Sequence, residues 1–225
     1  MTDSEKGDDL VGLLESWAGC LLAFAEAMDP GNFQEREKVV KEALGHLNSA
    51  ISMEVTATKA MNTVGDCYVF LSENAAVGGP SATPQRVKLL EDALSLGYRR
   101  ALSVNRNDLD GSVGVAETHF QLAKLYREAG DLSQAHANFS ASAQKYTSIA
   151  GDQELWMNFG SVHERSDHLY NCACALAQLG DQACLAQACQ AIQSAMTFGT
   201  INPDLSEIKN DPDLHPILPH LVGNK

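Results

Sequence analysis

The stretch HFQLAKLYREAGDLSQAHANF, residues 119–139, constrains the fold of this chain more than any other. Tyr126 ends an apolar helical stripe, the Gly-Asp pair at 130–131 breaks it, and Ala135 and Phe139 resume it nine and thirteen residues after Tyr126. Two antiparallel helices joined by a short turn have this spacing, because a small residue permits close approach while an aromatic ring fills the space beside it. The stretch therefore predicts a helical hairpin.

The pattern resembles the tetratricopeptide repeat (TPR), whose signature is W-x2-L-G-x2-Y followed by A-x3-F. His119 stands at the Trp position and Ala123 at the Gly position. Val64-Gly65-x2-Tyr68 reproduces the L-G-x2-Y element in another hairpin, and its expected return helix carries Leu94-x3-Tyr98-x2-Ala101. The resemblance covers residues 8–221. It implies an all-α, right-handed solenoid of about four helical hairpins with a short C-terminal capping segment.

Composition supports the same fold class. Helix-forming residues dominate, alternating β-branched runs are almost absent, and 225 residues with 44% hydrophobic content suffice for one structural domain. We expect an acidic, disordered N-terminus followed by a single TPR-like domain. The predicted segments are a disordered stretch at 1–7, hairpins at 8–53, 55–104, 112–150 and 152–199, a loop at 73–84 inside the second hairpin, and a cap at 200–221.

The charge balance restricts the partners. The formal net charge is −13, and no basic stripe is present, so nucleic acid is not an expected partner. The N-terminus is acidic and lacks the basic region of a signal peptide, and no apolar run reaches the length of a membrane-spanning helix. We therefore expect a soluble cytoplasmic protein without membrane insertion, whose acidic surface favours a partner with a basic segment.

Four of the six cysteines, Cys172, Cys174, Cys184 and Cys189, fall on two predicted helices of one hairpin. The C-x-C spacing on a helix directs its two sulfurs about 200° apart, unlike the C-x2-C pairs of zinc sites. Small core residues in a reducing compartment are the favoured interpretation. A helical metal-binding or redox module that uses these four cysteines is the alternative.

Catalysis is not indicated. The densest group of titratable residues is His163, Glu164, Asp167 and His168, but the two histidines point about 140° apart on a helix, so a two-His metal site is not available. No nucleophile elbow, phosphate loop or dinucleotide fingerprint is present. The chain is expected not to be an enzyme and to need no cofactor or metal.

The resemblance instead implies binding. In TPR proteins the first helix of each pair lines a concave groove that holds a partner peptide or helix. Transferred to this chain, the groove register comprises Lys59, Asn62, Asp66, Phe70, Phe120, Lys124, Arg127, His163, Asp167, Tyr170 and Cys174. The Lys, Asn and Arg clamp that grips acidic chaperone tails is replaced by Asp66, Gln121 and Asp167. We therefore expect an adaptor, scaffold or assembly factor for an unidentified protein or peptide.

Overall fold

The structure, a computed structural model, describes residues 3–198 and 206–222, and the side chains of residues 9–198 and 208–221. These residues form helices and connecting turns, with no β-strand among them, which confirms the all-α prediction. The solenoid arrangement stays a prediction. Residues 199–205, where the predicted cap begins, lie outside the described part of the chain.

Twelve α-helices are described in these ranges: α1 Asp3–Ala27, α2 Phe33–Met53, α3 Thr58–Ala75, α4 Thr83–Asp92, α5 Arg99–Val104, α6 Leu109–Glu128, α7 Leu132–Gly151, α8 Gln153–Met157, α9 Val162–Ala177, α10 Gln182–Thr197, α11 Ser206–Asn210 and α12 Leu218–Val222. A 3₁₀ segment, Ala76–Ala82, follows α3, and a π-helical segment, Ala93–Tyr98, follows α4. A second 3₁₀ segment, Pro212–Ile217, precedes α12. Helix α1 begins inside the stretch that was predicted to be disordered.

The chain divides into two compact units, residues 1–114 and 115–225, with the boundary inside the range of α6. In unit 1, α1 packs on α2, α2 on α3, and α3 on α4 and the π-helical segment. Its core includes Val40, Ala43, Leu47 and Met61, all fully buried. Val40, Ala43 and Leu47 recur at helical spacing on α2, which explains why this helix buries one apolar face.

Glycine permits a close backbone contact in unit 1. A Cβ atom added to Gly97 would lie 2.5 Å from the backbone N of Gly65 and 3.0 Å from the carbonyl oxygen of Met61. Gly97, which belongs to the π-helical segment, therefore lies directly against α3. The ring of Tyr98 then covers Gly65, because a Cβ atom there would lie 2.5 Å from it.

The predicted loop at 73–84 is largely helical. Helix α3 continues to Ala75, the 3₁₀ segment follows, and α4 begins at Thr83 with Pro84 in its first turn. Proline is tolerated there because the first turn of a helix leaves its backbone N–H groups unpaired. Gly79 has a φ of 66°, a conformation that L residues with side chains rarely adopt, and it supplies the bend.

In unit 2, α9 packs against α7, α10 and the second 3₁₀ segment. The hairpin predicted from residues 119–139 is present: Ala123, Ala135 and Phe139 form a buried cluster against which Tyr126 packs. Its turn is built by Gly130, with a φ of 82°, and by Asp131, whose side chain accepts a hydrogen bond from the Gln134 backbone N–H. The backbone N–H of Asp131 also donates to the carbonyl of Tyr126, which closes the helix end.

The sequence from 180 repeats this turn. Gly180 has a φ of 76°, and the side chain of Asp181 accepts a hydrogen bond from the Cys184 backbone N–H. Glycine ends one helix in the left-handed conformation and aspartate caps the next, so the same dipeptide produces the same geometry twice.

The first half of the hairpin predicted at 152–199 contains two helices. The structure divides it into α8 and α9, separated by residues 158–161. Ser161 caps α9 by accepting a hydrogen bond from the backbone N–H of Glu164, and Glu164 Oε2 accepts one from the backbone N–H of Gly160. The signal was present in the sequence, because serine followed three residues later by glutamate starts helices.

Helix α1 has one property that the sequence analysis did not expect. Residues Asp9–Ala27 have the length and apolar composition of a segment able to cross a membrane. Core helices of soluble proteins and N-terminal signal sequences share that composition. Cytoplasmic localisation therefore stays a prediction.

Candidate functional site

Four of the predicted groove residues come together in unit 2, around the chain's own C-terminal segment. Lys124 and Arg127 project from α6, and Tyr170 and Cys174 project from α9. Together with Gln178 we call them the cradle. Their spacing of three or four residues on each helix places them on one face, as the register predicted.

The cradle holds Asp213 by its side chain and its backbone. Lys124 Nζ donates to Asp213 Oδ2 at 3.0 Å, and Arg127 Nη2 lies 3.3 Å from Oδ1. Gln178 Nε2 donates to the carbonyl oxygen of Asp213 at 2.7 Å, while its Oε1 accepts from Arg127 Nη1. The side chain of Asp213 is only 8% exposed, so its charge requires these cations.

Asp211 is bound beside it. The hydroxyl of Tyr170 donates to Asp211 Oδ2 at 2.6 Å, and the thiol of Cys174 lies 3.8 Å from the same oxygen. Burial raises the pKa of the Cys174 thiol, and the carboxylates of Asp211 and Asp213 raise it further. Cys174 therefore stays protonated and acts as a weak hydrogen-bond donor.

Apolar contacts fix the segment in the cradle. Ile208, Leu214 and Ile217 are fully buried in the core of unit 2. Each such side chain contributes about 1.5–3 kcal/mol relative to exposure, so releasing all three would cost at least about 4 kcal/mol. The C-terminal segment is thus an integral part of unit 2, and the cradle is already filled.

The other groove residues predicted in unit 2 lie outside this contact. Phe120 packs edge-on against Phe139, with 5.5 Å between the two ring centroids. Lys124 Nζ lies 5.5 Å from the centroid of the Phe120 ring. His163 and Asp167 are exposed and form a pair on α9, with Nε2 and Oδ2 3.6 Å apart. Both side chains are solvated, and their place in the predicted groove stays a prediction.

The four groove residues predicted in unit 1 differ in exposure. Asn62 and Phe70 are buried: Asn62 Nδ2 donates to Asp108 Oδ2 at 2.7 Å, and the guanidinium of Arg36 lies 4.6 Å from the Phe70 ring centroid. Lys59 and Asp66 are exposed. Only the latter two are therefore available to a partner.

Asp66 lies in an acidic part of unit 1, which we call the acidic face and define as Asp66, Asp110 and Glu26. The hydroxyl of Tyr98 donates to Asp66 Oδ1 at 2.7 Å. Surrounding protein raises the pKa of Asp66, and the carboxylates of Asp110 and Glu26 raise it further, against the opposing effect of the Tyr98 hydrogen bond. A carboxyl group that is exposed yet poorly hydrated is typical of a recessed surface.

A cavity of about 490 Å³ lies at the other end of α3. Its walls come from α2, α3, the first 3₁₀ segment and α4, and include Phe33, Asn74, Val77 and Leu89. The predicted loop region thus borders a concave surface.

The cysteine cluster lacks the features of a metal or redox centre. No group of three or more His, Cys, Asp or Glu residues able to hold a metal ion occurs among the residues whose side chains are described. All six cysteines are free thiols, and burial raises the pKa of Cys172, Cys174, Cys184 and Cys189. Raised pKa values disfavour the thiolate, which is the form that binds metals and attacks disulfides.

Thiol alkylation checks this assignment. Iodoacetamide at pH 8 is expected to modify exposed Cys20 well before buried Cys67, Cys172 and Cys174, and burial raises the pKa of Cys67 to about 12. Mass spectrometry of timed samples measures the order, and full labelling in urea is the control. Reaction of the three buried thiols at the rate of Cys20 in the folded protein would contradict the assignment.

Sequence reasoning missed Asp211, Asp213 and Gln178. The two acids lie in the predicted cap at 200–221, to which no polar contact was assigned. A signal was available, because the predicted groove has two cations close together, Lys124 and Arg127, and the cap contains the acidic sequence Asp211-Pro212-Asp213. Arg127 and Asp213 are 86 residues apart in the chain, so the sequence alone could not show that they are in contact.

Compared with models of protein families and with curated proteins, the sequence has no match.

Proposed function

We propose that this chain is a non-catalytic protein-interaction module of the TPR type, an adaptor, scaffold or assembly factor that binds an extended segment of a partner protein. The observation that carries the proposal is the cradle, in which α6 and α9 hold an Asp-Pro-Asp segment through side-chain ion pairs and a hydrogen bond to its backbone. Extended peptides are bound in this way, with backbone contacts supplying affinity and charged pockets supplying specificity.

The partner is expected at unit 1, because the C-terminal segment already fills the cradle. On α3, Asp66 is exposed at the register position predicted to face a partner, and Asp110 and Glu26 lie nearby in the acidic face. A Lys or Arg side chain placed there would counter the burial and the carboxylate repulsion that together raise the pKa of Asp66. A basic segment of a partner protein is therefore the ligand class that this surface favours.

Asp66→Asn tests the proposal, because asparagine keeps an oxygen for the Tyr98 hydroxyl and removes the charge. Tagged wild type and variant would be purified with their partners from the native cell, and partners would be quantified by mass spectrometry. We expect a partner with a basic segment to be lost several-fold from Asp66→Asn, with a reduced salt dependence of binding. Glu91→Gln, an exposed charge loss on α4, is the matched control and should keep the partner.

Thermal unfolding separates binding from folding in this test. The folded-state pKa of Asp66 is raised, so its contribution to stability decreases as pH rises from the ordinary aspartate value through the raised one. At neutral pH the substitution should leave the melting temperature unchanged or higher. Equal recovery of every specific partner by Asp66→Asn and wild type would overturn the assignment of the acidic face.

A further inference from the structure

The sequence Thr83-Pro84-Gln85-Arg86 stands where the first 3₁₀ segment meets α4. Of the seven prolines in the chain, Pro84 alone follows a serine or a threonine. Proline has no backbone N–H, and one group of protein kinases selects it directly after the acceptor hydroxyl, because their substrate groove offers no partner for an N–H there. These kinases also favour a cation three residues after the acceptor, the position of Arg86. The four residues therefore form the recognition sequence of a proline-directed kinase.

Few buried contacts hold this sequence in the fold. In this fully described stretch, none of the residues Ala76–Ala82 is buried, and α4 buries only Leu90. Thr83 is half-buried, and the two residues after it are exposed. The Ser72 hydroxyl donates a hydrogen bond to the carbonyl oxygen of Arg86 at 3.2 Å. A kinase binds its substrate as an extended strand, and a segment with so few buried contacts can open locally at low cost.

The beginning of α4 lacks a side-chain cap. Ala82 precedes the helix, and its methyl group cannot accept a hydrogen bond from the first backbone N–H groups. A phosphate adds about −1.5 to −2 charge and three acceptor oxygens at pH 7, and a negative group in the first turn of a helix is stabilised by the N–H groups and the helix dipole. A phosphate on Thr83 would therefore strengthen the beginning of α4.

Arg86 is placed to pair with that phosphate. It lies three residues after Thr83, so the two side chains share a face of α4, and a long helical side chain points back towards the N-terminus. Its Nε is buried and has no hydrogen-bond partner among the described residues. Burial raises the pKa of Glu73, and the guanidinium of Arg86 opposes this rise. A phosphate on Thr83 carries more charge than Glu73 and would compete with it for Arg86.

We propose that Thr83 is the acceptor of a proline-directed protein kinase, and that its phosphate is held by Arg86 and the N-terminus of α4. In the transfer, Thr83 Oγ1 attacks the γ-phosphorus of ATP. The new O–P bond forms as the bond to the departing ADP oxygen breaks, and the hydroxyl proton passes to a carboxylate of the kinase. The modification stabilises the wall of the cavity of about 490 Å³ to which Ala82 and Gln85 belong. The proposal uses no residue of the acidic face, so failure of either proposal leaves the other intact.

Phosphorylation of the full chain tests the acceptor. The chain is incubated with ATP and a kinase of the cyclin-dependent class, and peptide mass spectrometry locates the phosphate. We expect it at Thr83, and no incorporation in Thr83→Ala. Pro84→Ala should be phosphorylated at least about tenfold more slowly, because the selected residue is lost. Ser81→Ala is the matched control, since this exposed serine is not followed by proline, and should be phosphorylated at the wild-type rate.

Hydrogen exchange tests the role of Arg86. In the phosphorylated chain, the amides of residues 76–86 should exchange several-fold more slowly than in the unmodified chain, while those of α10 stay unchanged. Arg86→Gln, phosphorylated to completion, should lose most of this protection, because the phosphate loses its cation. Lys88→Gln is the matched control and should keep the protection, since Lys88 Nζ already pairs with Asp92 Oδ1 at 2.7 Å.

Incorporation at another residue, or equal rates for Pro84→Ala and the wild type, would overturn the assignment of the acceptor. Absence of phosphate at Thr83 in the chain purified from its native cell with phosphatase inhibitors would overturn it as well. Unchanged exchange of residues 76–86 after phosphorylation, or full protection in Arg86→Gln, would show that Arg86 and the beginning of α4 do not hold the phosphate.

Discussion

Gly97→Ala is expected to destabilise unit 1 by about 3 kcal/mol. The added methyl group would overpack a contact with rigid backbone, which makes this one of the most costly kinds of small substitution. The added Cβ atom would lie 2.5 Å from Gly65 N, 2.6 Å from Gly65 Cα and 3.0 Å from Met61 O. All three are backbone atoms, so no side chain can rotate away, and α3 would have to move from the π-helical segment. Urea unfolding followed by circular dichroism measures the change.

The control is Gly45→Ala, which makes the same chemical change where space is open. Gly45 is exposed in the middle of α2, and a Cβ atom there meets nothing within 4 Å. Alanine in a helix interior should stabilise the protein by about 0.5–1 kcal/mol relative to glycine. If both variants shifted the urea midpoint in the same direction and by similar amounts, the close approach of Gly97 to Gly65 would not be a structural constraint.

The contact between Gly97 and Gly65 shows how much of the fold could be predicted from the sequence. Gly65 was identified through the L-G-x2-Y element, and the structure places it at a close contact with Gly97. Gly97 was not singled out in the sequence, where the expected return helix was Leu94-x3-Tyr98-x2-Ala101, and it belongs to the π-helical segment Ala93–Tyr98. A π-helical turn is stabilised by its surroundings and has no reliable local sequence signature, so the contact of Gly97 could not be predicted.

The candidate site was likewise predicted only in part. The groove register implied by the TPR resemblance placed Lys124 with Arg127, and Tyr170 with Cys174, and the structure brings these four residues to one cradle. That register describes one helix at a time, so it could not show that Asp213 occupies the space between them. On α1, Val11 and Ala18 are buried while Leu13 and Trp17 are exposed, and a helical pattern does not say which of two apolar faces is buried.

The second prediction with a large expected effect on stability concerns the cradle. Lys124→Met with Arg127→Met is expected to destabilise unit 2 by about 3–5 kcal/mol, because both changes leave the buried Asp213 carboxylate without a cation. Methionine keeps apolar contact with the Phe120 and Phe139 rings, over which the two cations now lie. The loss is therefore electrostatic. A charge-removing change at an exposed pair, Lys41→Met beside Glu37, should cost no more than about 1 kcal/mol.

The triple variant with Asp213→Asn distinguishes charge from packing. With no buried carboxylate left, most of the lost stability should return, and Gln178 can still donate to the carbonyl of residue 213. Urea unfolding of the wild type, the double variant, Asp213→Asn and the triple variant completes a thermodynamic cycle. A triple variant as unstable as the double variant would mean that Lys124 and Arg127 act through their packing, and that the fit of the C-terminal segment does not depend on its acidic residue.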